Sequence, residues 1–163
     1  MAKEVMVDMG KYEISTDSSI LVCLGLGSCI GVAIYDEKKK IAGLAHIMLA
    51  HYDTTRGSSP EFNGNKYANI ALPAMISDLE KKGCNKCDMK SKIAGGAQMF
   101  SSLDDKHVLD IGTKNAESIT KVLSENGIRL VSKDIGGNIG RTVRFDVSNC
   151  KMIIRTKSEI KEI

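Results

Sequence analysis

Apolar and polar residues alternate through the first fifty positions in a way that predicts strands. "EVMVDM" (4–9) and "YEIST" (12–16) alternate with a period of two, and "SILVCLGL" (19–26) is a β-rich apolar run. "CIGVAIYD" (29–36) and "IAGLAHIML" (41–49) flank the polar "EKKK", which predicts a hairpin. The pattern then breaks. Residues 51–64, "HYDTTRGSSPEFNG", follow no period and predict a long loop that could cover something.

Helical spacing follows. In "NKYANIALPAMISDLEKK" (65–82), Ile70, Ala71, Ala74, Met75, Ser77 and Leu79 fall on overlapping faces, Gly83 stands at the C-terminal end, and Pro73 is expected to kink or bound the helix. A second helix is predicted over 112–127, with Ala116, Ile119, Val122 and Leu123 as its apolar stripe and Asn126-Gly127 as its stop. "KSKIAGG", "IRLVSKDI", "RTVRFDV" and "KMIIRT" read as further strands. Helices do not alternate regularly with strands, so an α+β fold with a mixed or mostly antiparallel sheet is expected rather than a doubly wound one. With neither repeat nor linker visible, the 163 residues predict a single domain over 1–163.

Composition narrows the function classes. Twenty-three basic and 20 acidic residues are scattered along the chain, giving a net charge of +3 without the clustered basic footprint of a nucleic-acid binder. The "KKK" at 38–40 fits a solvated turn. The apolar run from Ile20 to Tyr35 is shorter than the roughly 20 residues of a spanning helix and is interrupted by glycines, so no membrane insertion is expected. The N-terminal residues carry both charge signs and no signal-like apolar core, which predicts a cytoplasmic protein with its five cysteines (Cys23, Cys29, Cys84, Cys87, Cys150) as reduced thiols.

The stretch "LGLGSCIGVAIYD" (24–36) crowds three glycines around one cysteine, and three readings compete. Gly25, Gly27 and Gly31 approximate a dinucleotide fingerprint, but a helix must start there to hold a pyrophosphate, and "IGVAIYD" is a strand sequence. Alternatively the small residues pack where a strand turns, and Cys29 is an inert buried thiol, the reading this stretch by itself favours. In the third, bare backbone exposes Cys29 to a carbonyl substrate, with main-chain N–H groups around Gly27 and Ser28 facing the oxyanion. A thiol needs a base at neutral pH. Of the three histidines only His46 lies in an apolar strand, which the "EKKK" turn folds back beside Cys29, whereas His51 and His107 lie in polar surroundings. A hydrogen-bonded core histidine is the competing account of His46.

The ordered motifs "LGLGSCIGVAIYD", "GLAHIML", "NKYANIALPAMI", "GGAQMF", "DIGTKNAESI" and "DIGGNIGR" span nearly the whole chain and resemble the chemoreceptor glutamine deamidase family, CheD. The resemblance implies hydrolysis of selected glutamine side-chain amides on the cytoplasmic helices of methyl-accepting chemoreceptors, giving glutamate and ammonia through a cysteine thioester. It implies a β-sandwich-like core with flanking helices, similar to the cytotoxic necrotizing factor catalytic fold. By motif position Cys29 is the nucleophile and His46 the base, and no metal or organic cofactor is called for. The family commonly carries threonine six residues before the cysteine as a third site member, and this chain has Cys23 there. A CheC-type phosphatase is the implied protein partner. The alternatives are a non-catalytic adaptor regulating such a phosphatase, or a cysteine amidase or protease outside chemotaxis. "GGAQMF" and "DIGGNIGR" read as glycine turns that could also shape a groove, with Met99 and Phe100 as an apolar docking surface. "CNKC" (84–87) has C-x-x-C spacing without a second pair nearby and reads as a loop feature.

Overall fold

The computed structural model describes residues 2–59, 61–99 and 110–163, so that Phe100 and His107 lie outside the described residues. Strands β1 (Glu4–Met6), β2 (Tyr12–Ser15), β3 (Ile20–Leu26), β4 (Ile30–Asp36) and β5 (Ile41–Ile47) precede helix α1 (Ala68–Lys81). Then come β6 (Met89–Gly95), α2 (Ile111–Glu125), β7 (Arg129–Ile135), β8 (Arg141–Asp146), β9 (Lys151–Arg155) and β10 (Ile160–Glu162). The α+β class expected from the sequence is the class observed.

The strands form two five-stranded sheets, ordered β1-β3-β8-β9-β10 and β2-β5-β4-β6-β7. Both are mixed: β1 runs parallel to β3 and β6 parallel to β7, and the other pairs are antiparallel. Between the sheets lies one apolar layer containing Leu21, Cys23, Leu26, Ala33, Leu44 and Phe145. A second layer, with Ile30, Val32, Ile34, Leu72, Met75 and Ile119, joins the β2–β7 sheet to the two helices. Strand β4 is buried at every position because it feeds both layers, Ile30, Val32 and Ile34 on one side and Ala33 and Tyr35 on the other. That double burial explains why its sequence is continuously apolar.

Pro73 does not bound α1 but lies inside it, in the second turn, and the helix continues to Lys81. Close to the helix start the absent proline N–H costs a single ladder bond, and Ala71, Leu72, Met75, Ile76 and Leu79 bury the helix face regardless. Helix α2 begins at Asp110, whose carboxylate accepts from the Thr113 N–H at 2.9 Å. It follows the predicted span closely.

The glycine-rich stretch is where the chain passes from one sheet to the other. β3 belongs to the first sheet and β4 to the second, and residues 27–29 make the crossing. Before it, the pairing of β3 with β8 shifts register between Cys23 and Leu26, with Gly25 at φ +61 in the bulge. After it, the turn that ends β6 packs against Cys29. A Cβ on Gly95, at φ +128, would lie 2.3 Å from the Cys29 carbonyl oxygen. Gly95→Ala is therefore expected to cost about 3 kcal/mol of stability, since it combines a disfavoured φ with a backbone clash. Denaturant unfolding checks this, and a loss below about 1 kcal/mol would mean the turn relaxes freely.

Candidate active site

Three loops meet at the sheet crossing, held by main-chain hydrogen bonds. Ala97 N–H donates to the Gly27 carbonyl at 2.9 Å and Gly96 N–H to the Cys29 carbonyl at 2.9 Å. The "GGAQ" turn is tied in turn to the "DIGGNIGR" loop, with Gln98 N–H donating to Gly137 O at 2.8 Å and Gly136 N–H to Gly95 O at 3.0 Å. Arg141, almost fully buried, keeps the last loop closed through Asp134 at 2.7 Å and the carbonyl of Gly136. The two glycine motifs thus wall the turn that carries Cys29. The amide N–H groups of Gly27 and Ser28 donate to no main-chain carbonyl of the described residues.

His46 is reached through strand register. β4 and β5 form the expected hairpin, pairing Gly31 with His46 and Ile30 with Ile47. His46 shares the inter-sheet side of β5 with Ala42 and Leu44, and Cys29 packs against that same layer. Cys29 stands just before β4, two residues ahead of the Gly31 that pairs with His46. Gly31 contributes no side chain to that rung, and the space above it is taken by side chains of the opposite sheet. A Cβ there would meet the Cys23 Sγ at 3.7 Å and a Leu26 methyl at 3.4 Å, which places the Cys23 thiol over the same rung from the opposite sheet.

The protonation chemistry follows from burial. His46 is 3% exposed, and neither ring nitrogen has a hydrogen-bond partner among the described residues. Burial pushes its pKa below 6.5, opposed by the nearby Val7 carbonyl and by the charge of Asp8. The carbonyl lies close enough to favour the cation without meeting hydrogen-bond geometry. Cys29, half-buried, is pushed above 9.0 by burial against the pull of its own N–H. Cys23, fully buried, is pushed up to about 12 by burial and by the Cys29 charge. At neutral pH the site therefore holds a neutral imidazole and protonated thiols. Neither thiol is hydrogen-bonded to His46, a looseness common in sites awaiting substrate.

Of the remaining sequence candidates, Ser28 lies in the crossing turn beside Cys29. Met99 lies 3.0 Å from where a Gly27 Cβ would stand and is 48% exposed, which puts an apolar side chain at the rim. His51 is exposed on the loop after β5 and is not brought into the site, and Cys84 and Cys87 sit far along the chain before β6, one buried and one exposed. All five cysteines are free. No three His, Cys, Asp or Glu side chains among the described residues are grouped to hold a metal. A groove of 680 Å³ runs between α2 and β7 and reaches the crossing at Gly96 and Gly112. Neither Cys29 nor His46 lines it.

One participant escaped the sequence reading. Asn115, fully buried on α2, donates from Nδ2 to the Ser28 carbonyl at 3.0 Å and to the Met48 carbonyl at 3.0 Å. Its signal was present: Asn115 stands four residues before Ile119 and seven before Val122, a polar residue on the apolar stripe.

A half-buried thiol thus lies at the sheet crossing and a buried imidazole on the adjoining strand. The chain belongs to the CheD family. The family model, described as CheD chemotactic sensory transduction, matches residues 48–156, and so covers α1 through β9 but neither Cys29 nor His46. Full-length relatives cover both. The chain is 44% identical over 162 residues to the probable chemoreceptor glutamine deamidase CheD of Clostridium kluyveri, spanning 99% of this chain and 98% of that one. It is 42% identical over 152 residues to the chemoreceptor glutamine deamidase CheD of Halalkalibacterium halodurans, spanning 93% of each. Among solved structures, the Bacillus licheniformis hypothetical protein YfiH aligns with a TM-score of 0.47 and 15% identity, over 76% of this chain and 49% of that one. No described helix is long and apolar enough to cross a membrane.

Proposed function

We propose that this protein, with residues 1–163 acting as one domain in the cytoplasm, deamidates selected glutamines on the cytoplasmic helices of chemoreceptors in chemotactic adaptation. The observation that supports the reading is the strand register that pairs His46 with Gly31, two residues after Cys29, in a chain 44% identical over 162 residues to a probable chemoreceptor glutamine deamidase. His46 accepts the Cys29 proton as Sγ attacks the glutamine Cδ. The oxyanion faces the main-chain amides around Gly27 and Ser28. Collapse releases ammonia with the proton returned by the imidazole, leaving a thioester. Water, giving its proton to His46, attacks that thioester, and glutamate departs as Cys29 recovers a proton. Every step balances without a metal or organic cofactor.

Two finer assignments accompany it. Met99 at the rim supplies an apolar anchor for a receptor helix, and a CheC-type phosphatase presenting a similar surface competes for the same mouth. The test incubates the protein with receptor cytoplasmic fragments and reads glutamine-to-glutamate conversion by peptide mass spectrometry. Conversion that slows as CheC is added is expected. Cleaved peptides would instead indicate a protease, and unconverted peptides with every native receptor would leave the adaptor.

Cys23 occupies the position where the family commonly has threonine, and its Sγ lies 3.7 Å from where a Gly31 Cβ would stand. A hydroxyl is the stronger hydrogen-bonding group, worth about 1 kcal/mol when it orients a neighbour. Cys23→Thr is therefore expected to leave the deamidation rate unchanged or raise it up to about fivefold, and Cys23→Ala to lower it. A Cys23→Thr protein that loses most of its activity would mean that the site is built around the thiol.

A further inference from the structure

We infer that Asn115 is a positioning residue of the Cys29–His46 site: its side-chain amide replaces the missing rung at the open end of the β4–β5 hairpin and sets how nucleophile and base face each other. The inference rests on the roles proposed above for Cys29 and His46.

The pairing of β4 with β5 runs from Asp36 opposite Ile41 to Ile30 opposite Ile47 and stops. Cys29 lies one residue beyond the last rung and His46 one residue before it. Past this point the two chains part. Residues 27–29 cross to the other sheet, while the N–H groups of Met48 and Leu49 donate to the Lys66 carbonyl at 3.0 and 2.9 Å. Among the described residues no sheet bond joins β4 and β5 beyond the Ile30–Ile47 rung. Asn115 spans the gap, one nitrogen donating to a carbonyl on each side.

The orientation of this amide is dictated by its partners. Two carbonyl oxygens face one end of the side chain, so that end must be the NH₂, with one proton for each. The opposite end, Oδ1, is left buried without a partner among the described residues. An apolar side chain would fill the space without stranding an acceptor, so packing alone does not account for asparagine here.

The Ser28 carbonyl belongs to the same peptide plane as the Cys29 N–H, and a trans peptide points the two in opposite directions. Fixing that carbonyl toward α2 fixes the direction of an amide expected to meet the oxyanion. Helix α2 comes close enough because Gly112 has no side chain: a Cβ there would lie 2.3 Å from the Gly96 carbonyl. Gly96 in turn donates to the Cys29 carbonyl at 2.9 Å. Helix, turn and nucleophile are thus held as one unit.

The full-length protein with Asn115→Ala is expected to lose up to about 100-fold in kcat toward a receptor fragment, the size of effect that small misplacements produce, with KM within about twofold. Alkylation of Cys29 by iodoacetamide, followed on its own peptide by mass spectrometry, should slow by about tenfold at the same pH. Asn115→Ser, able to reach one carbonyl at most, should fall between; it carries the same comparison if the alanine protein does not fold. Ser118→Ala provides the control, since it removes another α2 hydrogen bond, to the Ala50 carbonyl at 2.6 Å, away from the site. It should lower the melting temperature and leave kcat and alkylation unchanged. Asn115 variants whose kcat and Cys29 alkylation stay within twofold of wild type, or that lose no more of either than a Ser118→Ala protein of equal melting temperature, would overturn the inference. Alkylation needs no receptor, so a wild-type protein that converts no glutamine would refute the proposed function while leaving this comparison decisive.

Discussion

Cys29→Ala is expected to lower glutamine conversion by about 10⁴-fold or more while the protein remains folded. No neighbouring group can take over. The Cys23 thiol is buried in the inter-sheet layer with its pKa pushed up to about 12, so it neither ionises nor reaches a substrate. The Ser28 hydroxyl is adjacent in sequence, but a hydroxyl is a far weaker nucleophile at neutral pH without a base directed at it. Folding survives because Cys29 is half-buried and its side chain bonds to no other described residue. Loss of one sulfur there costs about 1 kcal/mol. Peptide mass spectrometry on a receptor fragment, with a melting curve of the same preparation, checks both halves. Substantial conversion by a folded Cys29→Ala protein would remove the thioester mechanism.

His46→Ala is expected to cost about 10³-fold and to change the shape of the pH profile. In the wild type, burial holds the His46 pKa below 6.5 and the Cys29 pKa above 9.0, so the resting pair is neutral imidazole and neutral thiol. The base is competent wherever it is unprotonated. The wild-type rate should then be flat through neutrality and decline only as the pH falls below 6.5, where the imidazole becomes charged and can no longer accept a proton. Without the imidazole, the thiolate must form by direct ionisation. Activity of the variant should therefore climb about tenfold per pH unit up to the Cys29 pKa, above 9.0. A wild-type rate that climbs in the same way across neutral pH would show that His46 is not the base.

Much of this site is legible without coordinates because its parts are local. Alternation in "EVMVDM" and "YEIST", the polar turn between two apolar runs and the capped stripe of α2 are each decided within a few residues. The hairpin alone puts His46 on the strand beside Cys29. The ordered motifs point to the family along nearly the full chain, and the relatives bear that out. The α+β class follows from the same local signals.

Other features depend on contacts far apart in sequence. Consecutive strands β1 to β5 are dealt between two sheets, and nothing in their own alternation says which one each joins, since β4 is buried on both faces. The three glycines become intelligible only once residues 27–29 are seen to pass between sheets, with the Gly95 backbone pressed on the Cys29 carbonyl. Asn115 reads in sequence as one polar position in a helix. Its partners, Ser28 and Met48, lie 87 and 67 residues away, and hydrogen bonds across such separations leave no local periodicity. Short-range sterics and hydrophobic spacing wrote the elements and the candidate pair into the chain; the packing of α2 and two sheets around one turn decided how that pair is held, because only a folded core can bring those backbone groups within 3.0 Å.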